Sequence, residues 1–468
     1  MEAEPGALAV ERHGIEFVPY AERYGTPRRL FTIWFSVNLS VLCLTAGTLG
    51  IFAGLPLGAT LVALALGNAL GTVFMAAHSA QGPHLGIPQM IQSRAQFGVL
   101  GAALPLLAVV IEATLYTSAN GVIVRETLKE LLPLSDSAAL VLFGSLTLLV
   151  AFTGYELIHK LGAVLSFVSG AFFLAVAVSI VAHGHGISQG AAHPRHFALA
   201  PFVLIVTQAT AWNLSSAPYV ADYSRYLPPS VPTWTTFWYT ALGNFISATL
   251  IMSLGACMAS VVPELAINPG RGLPQLFGGG TYVVGPLIVL GLLEVNVMSL
   301  YSAYMSSVTI FTGVRGMGRV GVPGKFFLML LLISIATAVA AVTRDKFDVY
   351  FADLLSLLVY VLVPWSAINL ADYYIVRKGR YSIEDMFTLD GIYGRYQWGA
   401  IGVYLVSILI QIPFMSVSFY TGALAHALGA DIAWLPGLIV PTALYCVLPT
   451  QRTAKTSAAG ATAARFLS

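Results

Sequence analysis

Residues 199–221 read LAPFVLIVTQATAWNLSSAPYVA. The stretch is long and apolar enough to cross a hydrocarbon core about 30 Å thick, which takes about 20 residues of helix. Its second half nevertheless carries Gln208, Trp212, Asn213, Ser215 and Ser216, followed by Pro218. Proline has no backbone N–H, and its ring crowds the carbonyl four residues earlier, here that of Leu214. The helix is therefore expected to break near Asn213 to Ser216. A break at membrane depth frees backbone groups that neighbouring helices or a ligand must satisfy, and secondary transporters use the second solution repeatedly. On this segment alone, a kink satisfied by its neighbours explains the residues equally well.

The rest of the chain has the same character. Hydrophobic residues fill 57% of its 468 positions and charged residues 9%, whereas soluble domains are about a quarter charged. Apolar runs between polar punctuation place spans at 30–53, 57–79, 99–122, 138–155, 161–183 and 199–221. A second set falls at 234–260, 281–311, 324–343, 348–372, 396–418 and 431–449. Twelve spans put both termini on one side. The basic residues test that count, because Lys and Arg gather in cytoplasmic loops. With the termini cytoplasmic, 17 fall inside: Arg12, Arg23, Arg28, Arg29, Arg94, Lys160, Arg225, Arg315, Arg319, Lys325, Arg377, Lys378, Arg380, Arg395, Arg452, Lys455 and Arg465. Six, namely Arg125, Lys129, Arg195, Arg271, Arg344 and Lys346, fall outside. The segment Met1 to Tyr24 holds five glutamates and no apolar run, so it reads as a cytoplasmic tail and not as a secretory signal.

Several function classes drop out. Cys43, Cys257 and Cys446 each stand alone in apolar runs, which suggests neither disulfides nor a zinc site. A net charge of +2 without a dense basic cluster gives nucleic acid nothing to bind. The loop histidines His183, His185, His193 and His196, like His159 beside Lys160, read as solvated side chains. No carboxylate and histidine constellation of the kind a membrane enzyme needs is apparent. No cofactor is implied. Gly67 and Gly71 form a Gly-x-x-x-Gly pair that reads as packing within the bundle.

Polar groups are costly inside hydrocarbon, so those in mid-span mark the pathway or site. Four spans carry them. The first has Ser36, Asn38 and Ser40 behind Trp34; the third has Glu112, Tyr116 and Asn120. The sixth has the residues quoted above, and the eighth has Glu294, Asn296 and Ser299. A break in the first span near Val37 and Asn38 would match the one in the sixth. Only its three polar residues hint at it, since no proline or mid-helix glycine precedes Gly47.

Two runs carry a resemblance. Ala221-Asp222-Tyr223-Ser224-Arg225-Tyr226 follows the sixth span, and Pro364-Trp365-Ser366-Ala367-Ile368-Asn369-Leu370-Ala371-Asp372-Tyr373-Tyr374 closes the tenth. Together with Trp34 to Ser40, Phe97-Gly98, Leu104-Pro105 and Asn296 ahead of Leu300-Tyr301-Ser302, they resemble the purine-cytosine permeases of the nucleobase:cation symporter-1 family from Tyr24 to Pro449. The resemblance implies an all-α membrane protein of the LeuT-like fold. A tail at 1–28 precedes a first repeat at 29–183 (helices 1–5). An inverted second repeat follows at 199–372 (helices 6–10), then two C-terminal helices at 396–449 and a tail at 450–468.

It also implies a substrate site between helices one, three, six and eight, the four spans that carry mid-membrane polar groups. A nucleobase has apolar faces and a rim of donors and acceptors, so its site needs an aromatic face with amides or hydroxyls at the edge. By position, Tyr116 resembles the family's third-helix stacking aromatic, Trp212, Asn213 and Ser215 its sixth-helix stretch, and Asn296 its eighth-helix asparagine. With Asn38 and Gln208, these form the candidate substrate-binding set. Asp222 and Arg225 read as caps or anchors of helix six.

The candidate coupling groups are Glu112 and Glu294. Where sodium-binding relatives offer hydroxyls on helix eight, this chain has Leu293-Glu294-Val295, and Glu112 stands where an apolar or small polar residue is expected. An ionised carboxylate facing lipid at mid-span costs about 2.5 to 3.5 kcal/mol or more, so Glu294 should face the bundle. There it could carry a proton, supply an oxygen to sodium, or be structural. The expectation is a cation-coupled importer of a nucleobase-like molecule, multi-pass in the plasma membrane, contacting lipid and working as a monomer. An amino-acid carrier of the same fold is the rival reading.

Overall fold

The first span is two helices, α1 (Arg28–Ser36) and α2 (Val41–Phe52), meeting at 62°. The break comes from Ser40, whose backbone is extended and whose hydroxyl accepts from the Cys43 N–H at 3.2 Å. An N-cap inside a span starts a second helix there. This computed structural model describes residues 15–153, 155–184, 196–278, 280–315, 320–343 and 347–448. The tails at 1–14 and 449–468 and the loop residues His185, His193 and Arg195 lie outside the described residues. So do Arg319, Arg344 and Lys346 of the charge distribution.

After the second span, α3 (Leu57–Ser79), come the short α4 (Gly82–Leu85) and α5 (Gln89–Phe97). Spans three to five are α6 (Ala103–Leu131), α7 (Asp136–Thr153) and α8 (Tyr155–Gly184). The sixth is broken into α9 (Leu199–Leu214) and α10 (Val220–Ser224), with a gap over 215–219 that overlaps the break expected near Asn213 to Ser216. The seventh is α11 (Thr233–Val261), which α12 (Pro263–Ile267) and α13 (Pro269–Leu276) connect to the eighth, α14 (Thr281–Arg315). The ninth is α15 (Val322–Thr343). The tenth, α16 (Phe347–Leu370), continues as a π-helical turn over Ala371–Val376. The eleventh, α17 (Trp398–Gln411), leads through the hairpin β1 (Ser416–Val417) and β2 (Tyr420–Thr421) and through α18 (Ala423–Leu428) to the twelfth, α19 (Trp434–Val447). Among the described residues, seven long apolar helices, the bent pair of the first span and four shorter apolar helices make up twelve passages.

The packing reveals the repeat. Span two packs on six and seven on one; three packs on nine and eight on four; five packs on one and ten on six. Exchanging spans one to five for six to ten turns each pair into its partner. Because five is odd, the second copy starts from the opposite face. Gly67 and Gly71 make the contact between spans two and six: a Cβ on Gly67 would lie 2.4 Å from the Val206 carbonyl oxygen, and one on Gly71 2.5 Å from that of Thr210.

Two differences from the sequence reading have physical causes. The third span runs to Leu131 instead of residue 122, because its end charges are paired. Arg125 bonds Glu126, Lys129 lies 2.6 Å from Asp136, and Glu130 lies 3.0 Å from Arg271. The helix α5, between the expected second and third spans, is polar but wholly buried. The two long motif runs supply part of what holds it. Asp222 accepts from the Gln89 N–H (2.8 Å), Ser93 accepts from Trp365 Nε1 (2.9 Å), and Gln96 donates to Asp372 (2.7 Å). Asp222 thus caps α5 while sitting in α10. Arg225 donates to the Glu16 carbonyl and to Tyr226, anchoring the N-terminal segment.

Candidate functional site

The two broken spans cross near the middle of the bundle, and a cavity lies where they face spans three and eight. Asn38, Glu112, Tyr116, Trp212, Ser215 and Ser299 are among its walls. Tyr116 and Trp212 meet edge to face, ring centres 5.9 Å apart and planes at 79°, a favoured arrangement for aromatic pairs. Both are almost entirely buried, at 7% and 6% exposure. The free volume is about 30 Å³, room for a water or two. A flat ring enters only when the walls part.

Asn38 fixes one of these walls. Its Oδ1 accepts from the Trp212 indole at 2.8 Å, and its Nδ2 donates to Asn244 Oδ1 at 2.9 Å and to Ser247 at 3.0 Å. An indole N–H only donates, so the orientation of the Asn38 amide is settled, and Asn38 in turn holds the plane of Trp212. The Ser215 hydroxyl donates to the Trp212 carbonyl at 2.7 Å, which leaves its oxygen free to accept.

Three residues of the expected set lie away from this cavity. Asn213 points away from the cavity into spans two and seven, donating to Asn68 at 2.7 Å and accepting from Asn244 at 2.5 Å. Asn296 faces spans three and four, accepting from Asn120 at 3.0 Å and donating to Thr147 at 3.3 Å. Gln208 lines a separate cavity of about 590 Å³ between spans six and ten and the hairpin before span twelve. In place of Asn296, span eight turns Val295, Ser299 and Ser302 to the central cavity. Their spacing of four and three residues is one helical face. Ser216 and Tyr219, in the gap of span six, also line it.

The two carboxyl groups separate. Glu112, expected as a coupling group, is in the cavity wall, 3% exposed, and its Oε2 has no hydrogen-bond partner among the described residues. Glu294 lies where spans one and eight cross, its Oε1 accepting from the Ser36 hydroxyl at 2.6 Å. Ser36 is the last residue of α1 before the break. Within the same break, the Leu39 carbonyl comes so close to Gly291 that a Cβ there would stand 3.2 Å from it. Among the described residues no cluster of three or more His, Cys, Asp or Glu side chains could hold a metal.

The sequence profile of the permeases for cytosine/purines, uracil, thiamine and allantoin matches residues 17–437. The chain belongs to the purine-cytosine permeases of the nucleobase:cation symporter-1 family. A candidate purine-cytosine permease of Bacillus subtilis, YxlA, is 38% identical over 449 residues, covering 96% of this chain and 98% of its own. The purine-cytosine permease fcyB of Emericella nidulans is 24% identical, covering 94% and 89%. Among solved structures, the closed form of Mhp1, a nucleobase-cation-symport-1 family transporter with bromovinylhydantoin bound, superposes with a TM-score of 0.75 at 20% identity. It covers 95% of this chain and 96% of that one. The family is one of permeases, so the chain is a multi-pass membrane transporter and not an enzyme. Its fold is that of the LeuT-like proteins, as the exchange of helix pairs already requires.

Proposed function

We propose that this permease imports a flat, nucleobase-like heterocycle across the plasma membrane by proton symport, as a monomer with both termini in the cytoplasm. The observation that carries the substrate reading is the Tyr116–Trp212 pair on the wall of a cavity between two broken spans. Aromatic faces bind flat rings, and Ser215, Ser299 and Glu112 supply polar atoms for the rim. A cavity enclosed within one chain supports a monomer. The uneven distribution of Lys and Arg supports the orientation, and reagents applied from opposite faces should label cysteines introduced at Arg271 and Arg380.

The coupling reading rests on Glu294. A hard cation wants several oxygen ligands, but the carboxylate oxygen nearest the break is already bonded to a hydroxyl. A proton needs only the carboxyl itself. Proteoliposomes holding the purified permease should take up labelled cytosine or adenine when a proton gradient is imposed. Unlabelled bases, and not amino acids, should compete. Competition by amino acids alone would overturn the substrate reading, and uptake that follows a sodium gradient instead would overturn the coupling one.

A further inference from the structure

We infer that the cavity around Gln208 is an outer resting site, where a second molecule of the flat heterocycle waits beside a closed central cavity. The inference rests on the heterocycle reading of the central cavity and on the proposed orientation, which puts the Gln208 cavity on the outer side. Its free volume is about 590 Å³, against about 30 Å³ for the central one. Pockets that hold small ligands run from about 300 to 1,000 Å³. A ring therefore has room at Gln208 in the same conformation that excludes it from the centre. The two cavities are also in line. Gln208 and Trp212 are four residues apart on α9, nearly on one helical face and about 6 Å apart along its axis. Trp212 lines the central cavity and Gln208 the outer one.

The walls set the class of ligand. Two carboxylates line the outer cavity, and both are committed to the hairpin. Asp353 on α16 accepts from the Ser418 N–H at 2.8 Å and from the Ser418 hydroxyl. Asp431 accepts from the Ser416 N–H at 2.7 Å, from the Ala433 N–H at 3.0 Å and from the Tyr360 hydroxyl. These bonds fasten the hairpin to span ten. Gln208 differs: it is 5% exposed, and its Oε1 has no hydrogen-bond partner among the described residues. Of the described side chains that line this cavity, it is the one with such a buried atom. Ser356, on span ten, gives its proton to the Ala352 carbonyl at 3.3 Å, and its oxygen can still accept. A buried acceptor without a partner is costly until a donor reaches it. Both acceptors call for N–H groups, which every nucleobase carries on its ring or as an amino group. With the carboxylates engaged, the site calls for no charge on the ligand.

A thiol reads the outer site separately from the central one. Leu204, one helical turn outward of Gln208, also lines the outer cavity. In a chain whose Cys43, Cys257 and Cys446 have been replaced, Leu204→Cys should be alkylated from outside at a rate that falls as cytosine or adenine is added. The half-maximal concentration should not move when Trp212→Ala, which removes an aromatic face from the central cavity, is added. Gln208→Ala should raise it by about threefold to tenfold, the worth of one hydrogen bond. In that variant a thiol at Ser299, on the central wall, should keep its parent midpoint, which also shows the protein to be folded. Shielding at Ser299 without shielding at Leu204 would overturn the outer site and leave the heterocycle reading intact, whereas shielding at neither would end both. Shielding at Leu204 that weakens with Trp212→Ala would also overturn it, since the base would then act from the central cavity. Shielding by tetramethylammonium and not by the bases would overturn the class of ligand.

Discussion

Glu294→Gln permease in proteoliposomes is expected to lose concentrative uptake under a proton gradient while still exchanging labelled for unlabelled substrate across the bilayer. The amide keeps the size of the side chain and can accept the Ser36 hydroxyl bond, so the crossing of spans one and eight stays packed. What it cannot do is take up and release a proton. Exchange needs only the cavity and the motion, whereas accumulation needs the ion. A variant that still concentrates substrate as the parent does would remove Glu294 from coupling and leave it a structural hydrogen-bond acceptor. Loss of exchange as well would show that the substitution had damaged the transport cycle rather than its coupling.

Trp212→Ala is expected to weaken binding of every flat substrate by about tenfold to a hundredfold, since losing one aromatic face under a base costs about 1 to 3 kcal/mol. The loss should be alike for amino and oxo rings, because stacking does not depend on the edge. Asn38→Ala should follow the Trp212 pattern more weakly, since its amide acts on the ring through the indole N–H it holds at 2.8 Å. Equilibrium competition measured on both variants checks the ordering. A Trp212→Ala permease with parent affinity would place the substrate elsewhere.

The sequence was informative where a single residue type forces a backbone event. Pro218 broke the sixth span at the expected place, and the apolar runs predicted all twelve passages. The break in the first span had only polar side chains to suggest it, because its cause is a cap: Ser40 looks like any other serine until its hydroxyl is seen to hold the Cys43 N–H. The site was legible as a choice of spans and less so as a choice of faces. Asn296 and Ser299 are three residues apart, yet one bonds Asn120 and Thr147 and the other lines the cavity. Helical periodicity from Val295 through Ser299 to Ser302 traces the face that lines the cavity. Asn213 beside Trp212 faces away from the cavity for the same reason, since adjacent residues on a helix point about 100° apart. It belongs to a network with Asn68 and Asn244 that no spacing within one span could reveal. The motif runs that carried the resemblance lie mostly outside the cavity. Asp222, Trp365 and Asp372 hold the buried polar helix α5, so their chemistry is that of assembly at one end of the bundle.

A substrate resting in the cavity between the broken spans would shield a thiol on the cavity wall. Ser299→Cys, in a chain whose Cys43, Cys257 and Cys446 have been replaced, puts a single thiol on its wall. The rate of alkylation of that thiol should fall as cytosine or adenine is added, with a half-maximal concentration equal to the dissociation constant measured by competition on the same protein. A thiol alkylated at the same rate with and without saturating base, in protein that binds the base, would contradict the assignment.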